Sequence, residues 1–210
     1  MRLKNFGNTP FGVSMLDAVF PANRALIAKA NRLEASGDII RLKRGLYVNS
    51  PHVSGKRINE FLLANHIYGP SYVSMQSALR FYGLIPERVC EVTSMTTRLT
   101  KSFSNVLGTF TYLHCGEEYY SKSIVMREED GVGYLMATPE KALCDLMIYT
   151  TGLNMRFKKE LRIYLEEDLR MDMDELCRFD VNVLREIRSC SKKKNMLTQL
   201  IKLIEYERNV

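Results

Sequence analysis

The sequence predicts an α+β protein, in which a small basic N-terminal module precedes a larger mixed α+β module with a helical C-terminal tail. Residues 1 to 60 hold ten Lys/Arg and four Asp/Glu, whereas the rest of the chain holds twenty of each. Residues 89 to 137 contain runs of β-branched residues typical of strands. From about residue 156 onward, apolar residues recur at helical spacing. Such a charge asymmetry indicates that the first module meets a polyanion and that the second does something else.

The basic module contains one well-defined helix. Apolar residues between Phe11 and Phe20 have a short helical spacing, which Pro21 ends. Residues 22 to 36 contain strong helix formers, and Gly37 is a natural C-terminal stop. The inward stripe of this helix is spaced i, i+4 and i+7, as Leu26, Ala30 and Leu33.

The opposite face of this helix suits DNA. It consists of small residues mixed with arginine and asparagine, namely Arg24, Ala28, Asn31, Arg32 and Ala35. Small side chains let a helix approach DNA closely, while arginine and asparagine offer donors to base edges or phosphates. The alternative is an ordinary solvated helix face.

A β-hairpin follows in "GDIIRLKRGLYV", residues 37 to 48. Its apolar residues, Ile40, Leu42, Leu46 and Val48, are expected to face a core. Arg41, Lys43 and Arg44 then point outward, and Gly45 supplies a positive φ in the turn. A recognition helix followed by a hairpin with a cationic tip is the order of a winged helix-turn-helix, whose wing can lie along the phosphates.

The polar segment "SPHVSGKR" places the module boundary, with a DNA-binding domain over residues 1–52 and an α+β domain over residues 57–210. In the second domain Ser74 is expected to cap a helix that ends at Gly83. Asp130 and Gly131 form a hairpin turn between two strands. Thr138 and Pro139 open another helix, and four helical stretches complete the tail.

Motifs for catalysis, metals and cofactors do not occur in the sequence. The three histidines are widely spaced, the five cysteines form no C-x-x-C pair, and no phosphate loop, nucleophile elbow or dinucleotide glycine motif is found. We therefore predict no catalytic residues, no metal, no cofactor and reduced, mostly buried thiols. Acidic clusters such as Glu166 to Asp168 could serve a nuclease, but solvated charge explains them better. With no long apolar segment, we expect a soluble, cytoplasmic protein.

Several blocks together resemble the AbiEi family of antitoxin-like transcriptional regulators of bacterial abortive-infection systems. They are "GDIIRLKRGLYV", "GPSYVSMQSALRFYGLIPE", "VTSMTTRLTKSF", "GTFTY" and "ATPEKALCDL". The resemblance covers about residues 10 to 150, and P-S-Y-V-S and T-P-E-K-A-L are its more specific parts. Many members carry a clearer three-helix start, whereas only about twenty residues precede the recognition helix here.

The resemblance implies an autorepressor, without catalysis of its own, that binds inverted repeats of double-stranded DNA in its own promoter. It also implies a C-terminal domain that neutralises a nucleotidyltransferase-like toxin, without an assured direct complex. The family's DNA-contacting positions correspond here to Arg24, Lys29, Asn31, Arg32, Lys43 and Arg44, and the cationic Arg41 of the hairpin belongs with them. For the antitoxin function only polar members of the shared blocks can be named, assumed to lie at the surface: Ser74, Glu140 and Lys141.

Two other functions fit the same residues. One is a ligand-responsive winged-helix regulator unrelated to a toxin. The other is a metal-dependent nuclease whose basic module only delivers it to DNA.

Overall fold

The computed structural model describes residues 2–21, 25–86 and 91–209, and it is a mixed α+β fold as the sequence predicts. Its strands are β1 (Phe11–Gly12), β2 (Ile39–Lys43), β3 (Leu46–Asn49), β4 (Ser71–Val73), β5 (Glu91–Thr96), β6 (Lys101–Asn105), β7 (Gly108–His114), β8 (Ile124–Glu129) and β9 (Val132–Ala137). Its helices are α1 (Leu16–Val19), α2 (Leu26–Ala35), α3 (Pro51–Ser54), α4 (Glu60–Ile67), α5 (Met75–Phe81), α6 (Glu117–Tyr120), α7 (Pro139–Tyr149), α8 (Lys158–Ile163), α9 (Met173–Cys177), α10 (Val181–Ser189) and α11 (Lys194–Glu207). A 3-10 helix (Arg2–Phe6) precedes β1.

The N-terminal module has its own small sheet and core. The antiparallel strand order is β1-β3-β2, and α1, α2 and α3 surround this sheet. Asn49 is fully buried at the end of β3, where its amide donates to the carbonyl oxygens of Leu3 at 2.7 Å and Gly7 at 3.0 Å. These two bonds, both donated by the amide nitrogen, connect the start of the chain to the sheet.

The β2–β3 hairpin is buried on both of its faces. Ile39 and Tyr47 pack into the core of the N-terminal module. Leu42 and Val48 pack instead into the large core of the second module, where they are 2% and 0% exposed. The register of β2 against β3 shifts between Arg41 and Lys43, which changes the face to which the following residues point. The hairpin therefore joins the two hydrophobic cores.

The second module is a six-stranded mixed sheet with helices on both faces. The strand order is β6-β7-β5-β4-β9-β8, with β5–β7 and β4–β9 parallel and the other neighbours antiparallel. On one face the hydroxyl of Tyr112 donates to the carbonyl oxygen of Ala64 in α4. On the other face Tyr72 donates to Asp145 in α7. Both tyrosines are fully buried, so each hydroxyl has the partner that burial requires.

The helical tail packs on α7 through α10, and α11 packs in turn on α10, α8 and α9. Ahead of α11, the ammonium group of Lys193 donates to three carbonyl oxygens at the end of α7 and just beyond it, those of Met147, Thr150 and Leu153. A cation at this end also complements the helix dipole. Within the described ranges, no helix combines the length and apolar character that a bilayer crossing needs.

The main elements of the sequence prediction are confirmed. The hairpin, the Asp130–Gly131 turn and the helix opened by Thr138 and Pro139 form as expected, and Thr138 accepts a bond from the backbone N–H of Lys141. The helix predicted over 11–20 is wrong in its first part, because Phe11–Gly12 is a strand paired with β3. The edge strand β6 was not predicted.

Truncation of Leu42 tests the joint between the cores. We expect Leu42→Ala to lower the free energy of unfolding by about 2–5 kcal/mol, because the side chain is fully buried. Urea denaturation followed by circular dichroism measures the change. Leu99→Ala is the matched control, since Leu99 is 81% exposed and its truncation should change stability by less than about 0.5 kcal/mol. Equal stabilities of the two variants would contradict the shared core.

Candidate nucleic-acid interface

The exposed face of α2 lies opposite its buried stripe. Ala30 and Leu33 are buried, whereas Ala28, Asn31, Arg32 and Ala35 are exposed, as the apolar spacing predicts. Arg32 has no ion pair within the part of the chain that the structure describes. Lys29 is half-buried, and its ammonium lies 4.5 Å from the centre of the Phe20 ring. Arg24 was expected on the same face, but it lies outside the described residues.

The hairpin turns at Arg44 and Gly45. Gly45 has φ +79°, a conformation that favours glycine and confirms its expected role in the turn. Arg44 is exposed and, among the described residues, forms no ion pair. It is therefore the member of the predicted cationic tip whose guanidinium remains available to an external anion.

Arg41 is exposed but already engaged with α2. Its guanidinium lies 2.6 Å from the carboxylate of Glu34 and donates to the side-chain oxygen of Asn31 at 3.0 Å. It also lies 5.7 Å from the centre of the Tyr47 ring. Arg41 thus fixes the hairpin beside the helix, and Glu34 compensates much of its charge.

Lys43 does not point outward, so that part of the prediction is wrong. Its ammonium donates to the carbonyl oxygen of Ile67 at the end of α4 and lies 5.8 Å from the centre of the Phe103 ring. Burial lowers the pKa of Lys43, and the positive charges of Arg98 and Lys101 lower it further. The register shift after Arg41, together with packing of the second module on that face, turns this side chain inward.

Two cations of the second module near the hairpin were not predicted from the sequence. Arg98 lies 5.4 Å from the centre of the Tyr68 ring, and Lys101 lies 5.0 Å from that of Phe103. Both are exposed and close enough to Lys43 to affect its pKa. They belong to the second module, whose Lys/Arg and Asp/Glu balance overall, so the charge of the module as a whole did not indicate them. The structure therefore places cations of both modules near the hairpin.

Two of the three polar residues assigned to an antitoxin surface are not at the surface. Ser74 and Lys141 are 0% exposed, so that expectation is wrong for both. Glu140 is half-buried, and its carboxylate accepts from the backbone N–H of Asp180 at 3.0 Å, which joins α7 to the start of α10. Ser74 takes the N-cap position of α5, but its hydroxyl donates to Asp145 instead of capping the helix.

These residues belong to a buried polar cluster centred on Asp145. The carboxylate accepts from the hydroxyls of Ser74, of Tyr72 at 3.0 Å and of Tyr119 at 2.6 Å. The ammonium of Lys141 lies 3.5 Å from the carboxylate, donates to the Tyr119 carbonyl oxygen at 2.8 Å and rests 3.1 Å from the centre of the Tyr119 ring. Every polar group of the cluster therefore has a partner.

Burial dominates the electrostatics of the cluster. It raises the pKa of Asp145, against the opposing effects of Lys141 and the three hydroxyls, and it lowers the pKa of Lys141. Burial also raises the pKa of the neighbouring Cys115 to about 12, helped by the charge of Asp145. This thiol consequently stays protonated at neutral pH and is a poor nucleophile.

The comparisons with known proteins add no family. No protein-family model matches the chain, and no curated protein matches its sequence. In the ranges 2–21, 25–86 and 91–209, no three His, Cys, Asp or Glu side chains are grouped so that they could hold a metal ion. The features that bear on function are consequently the geometry of the hairpin, α2 and the cations around them.

Removal of Lys141 tests the buried cluster. Lys141→Met should lower the free energy of unfolding by about 3–5 kcal/mol, because it leaves Asp145 buried without its cation. Urea denaturation measures the change. The double variant Lys141→Met, Asp145→Asn should recover part of this stability, since it buries no charge and keeps a side-chain oxygen that accepts from the buried hydroxyls. The exposed control Lys159→Met should stay within about 0.5 kcal/mol of wild type. A double variant less stable than Lys141→Met would contradict this account.

Proposed function

We propose that this chain is a DNA-binding transcriptional regulator whose N-terminal module is a winged helix-turn-helix. The element order supports this proposal. A short 3-10 helix, β1, α1, α2 and the hairpin follow one another, and β1 pairs with β3 to give the strand order β1-β3-β2. In such a module α2 takes the position of the recognition helix in the major groove, and the β2–β3 hairpin is the wing.

One observation carries the proposal. Arg32 on α2 and Arg44 at the hairpin turn are exposed and have no ion pair in the described ranges, while Arg41 holds the two elements side by side. Exposed guanidinium groups without internal partners are suited to phosphate oxygens, which accept their parallel donors. Arg98 and Lys101 extend this positive charge onto the second module.

We further propose, from the resemblance to AbiEi-type regulators, that the chain represses its own operon and counteracts a nucleotidyltransferase-like toxin encoded beside it. The buried positions of Ser74 and Lys141 exclude a direct contact between these side chains and a toxin in the folded protein. Their cluster instead stabilises the domain that would carry the antitoxin activity. The protein would act in the cytoplasm, where its DNA is.

Truncation of Arg44 tests the wing. We expect Arg44→Ala to weaken binding to the chain's own promoter and to an unrelated duplex by similar factors, because phosphate contacts carry no sequence information. The slope of log K against log salt concentration should fall by about 0.9, the value expected when one phosphate is no longer neutralised. Fluorescence anisotropy of labelled duplexes over a salt series measures both quantities.

Arg156→Ala is the matched control for Arg44→Ala, because Arg156 is an exposed arginine of the helical tail. It removes the same charge but should leave the affinity and the salt slope close to those of wild type. If the two variants bind alike, the wing assignment fails. If the wild-type chain binds no duplex, the whole DNA-binding proposal fails.

Co-expression tests the antitoxin half of the proposal separately. Cells induced for the neighbouring nucleotidyltransferase-like gene should stop growing, and the wild-type chain should restore their growth. The Arg156→Ala variant should rescue equally, while a plasmid with a frameshift in this gene should not. Colony counts on inducing medium measure the rescue. Continued growth arrest with the wild-type chain would overturn the antitoxin function and leave DNA binding untouched.

A further inference from the structure

The exposed face of α2 carries a large apolar side chain. Ile27 is 69% exposed at the second position of the helix. Single exposed apolar residues are common on protein surfaces and need no explanation by themselves. The position of this one on α2 has a specific consequence, because the first residues of a recognition helix are the ones that contact base edges.

The neighbours of Ile27 leave room for a close approach. Asn31 and Ala35 follow at i+4 and i+8, and Ala28 lies beside them, so small exposed side chains continue the same face. The opposite side of the helix is buried through Ala30 and Leu33. Arg32 lies on the edge of the exposed face. The helix therefore offers an apolar contact at one edge of a face of small residues, and a cation that can hold a phosphate at the other edge.

Asn31 is oriented by its contact with Arg41. Its side-chain oxygen accepts from the Arg41 guanidinium at 3.0 Å, and the Glu34 carboxylate holds that guanidinium at 2.6 Å. Because arginine can only donate, the oxygen of the amide is occupied and its NH₂ group remains available. Asn31 is consequently a donor toward the groove, suited to a base acceptor such as thymine O4 or purine N7.

We propose that Ile27 contacts the C5-methyl group of a thymine in the major groove, with the Asn31 amide donating to an acceptor on a neighbouring base edge. Thymine is the base whose major-groove edge presents a methyl group, so it is the natural partner of an exposed aliphatic side chain. This specificity rests on the proposed DNA-binding function. It makes Ile27 the residue that selects thymine, while Arg32 and Arg44 supply affinity.

Replacement of thymine by uracil tests this inference, since it removes the methyl group and keeps base pairing. A duplex is first enriched from a pool with a randomised centre by binding to the wild-type chain. The enriched duplex is then synthesised in two forms, one with thymine and one with uracil at every thymine position. We expect the wild-type chain to bind the uracil duplex about four-fold more weakly for each contacted methyl group that is removed. Ile27→Ala should bind the thymine duplex as weakly as wild type binds the uracil one, and should not distinguish the two duplexes.

Two further variants complete the test. Ile27→Val keeps an apolar contact and should retain discrimination against uracil, and Met126→Ala, which truncates a 75% exposed residue on β8, should behave as wild type. Equal discrimination against uracil by wild type and Ile27→Ala would overturn the proposed role of Ile27. Equal binding of the thymine and uracil duplexes by the wild-type chain would overturn it as well. In that case, weaker binding by Arg44→Ala would still support the DNA-binding function. If no duplex is enriched, both proposals fail together.

Discussion

The burial of the β2–β3 hairpin between two cores is the constraint on which the rest of the molecule depends. Ile39 and Tyr47 are buried in the N-terminal core, and Leu42 and Val48 in the larger one, so neither core is complete without the hairpin. Since both faces of a two-stranded ribbon are covered, its orientation relative to either module is fixed. The position of α2 relative to the six-stranded sheet follows from this packing, because Ala30 and Leu33 of α2 share the N-terminal core with the hairpin. Arg41 adds an exposed contact between the two elements.

The same packing decides which cations remain available. A hairpin exposed on one face would present all of its basic residues to solvent. Here Lys43 donates to the carbonyl oxygen of Ile67 at the end of α4, and Arg41 donates to Asn31 in α2. Arg44 remains at the turn without an ion pair to any residue of the described ranges. The number of basic residues in the sequence of the hairpin therefore overstates the positive charge available to a ligand, because some of these residues are partly buried or paired within the protein.

Local patterns predicted the local elements, and long-range packing explains the failures. The hairpin, the Asp130–Gly131 turn and the Thr138 cap each depend on a few adjacent residues, and all were predictable. Strand β6 was missed because its sequence, KSFSN, is polar, and its pairing with β7 places it at the sheet edge, where such residues are tolerated. The alternation of apolar and basic residues in β2 predicted that Lys43 faces outward. The register shift between Arg41 and Lys43 changes the face to which its side chain points. Lys141 was expected at the surface because lysine is usually exposed. Nothing in the sequence indicates that Asp145, four residues later, is buried and pairs with it.

The cluster around Asp145 also has a consequence for how this domain can evolve. Its members come from three separate parts of the chain, with Tyr72 and Ser74 at β4, Tyr119 in α6, and Lys141 in the same helix as the carboxylate. Loss of Lys141 leaves the buried carboxylate without its cation, and loss of Asp145 removes the acceptor of three buried hydroxyls. Substitution of Asp145 is therefore tolerated best together with changes at the residues that donate to it, whereas the loss of one hydroxyl leaves the carboxylate with its other donors.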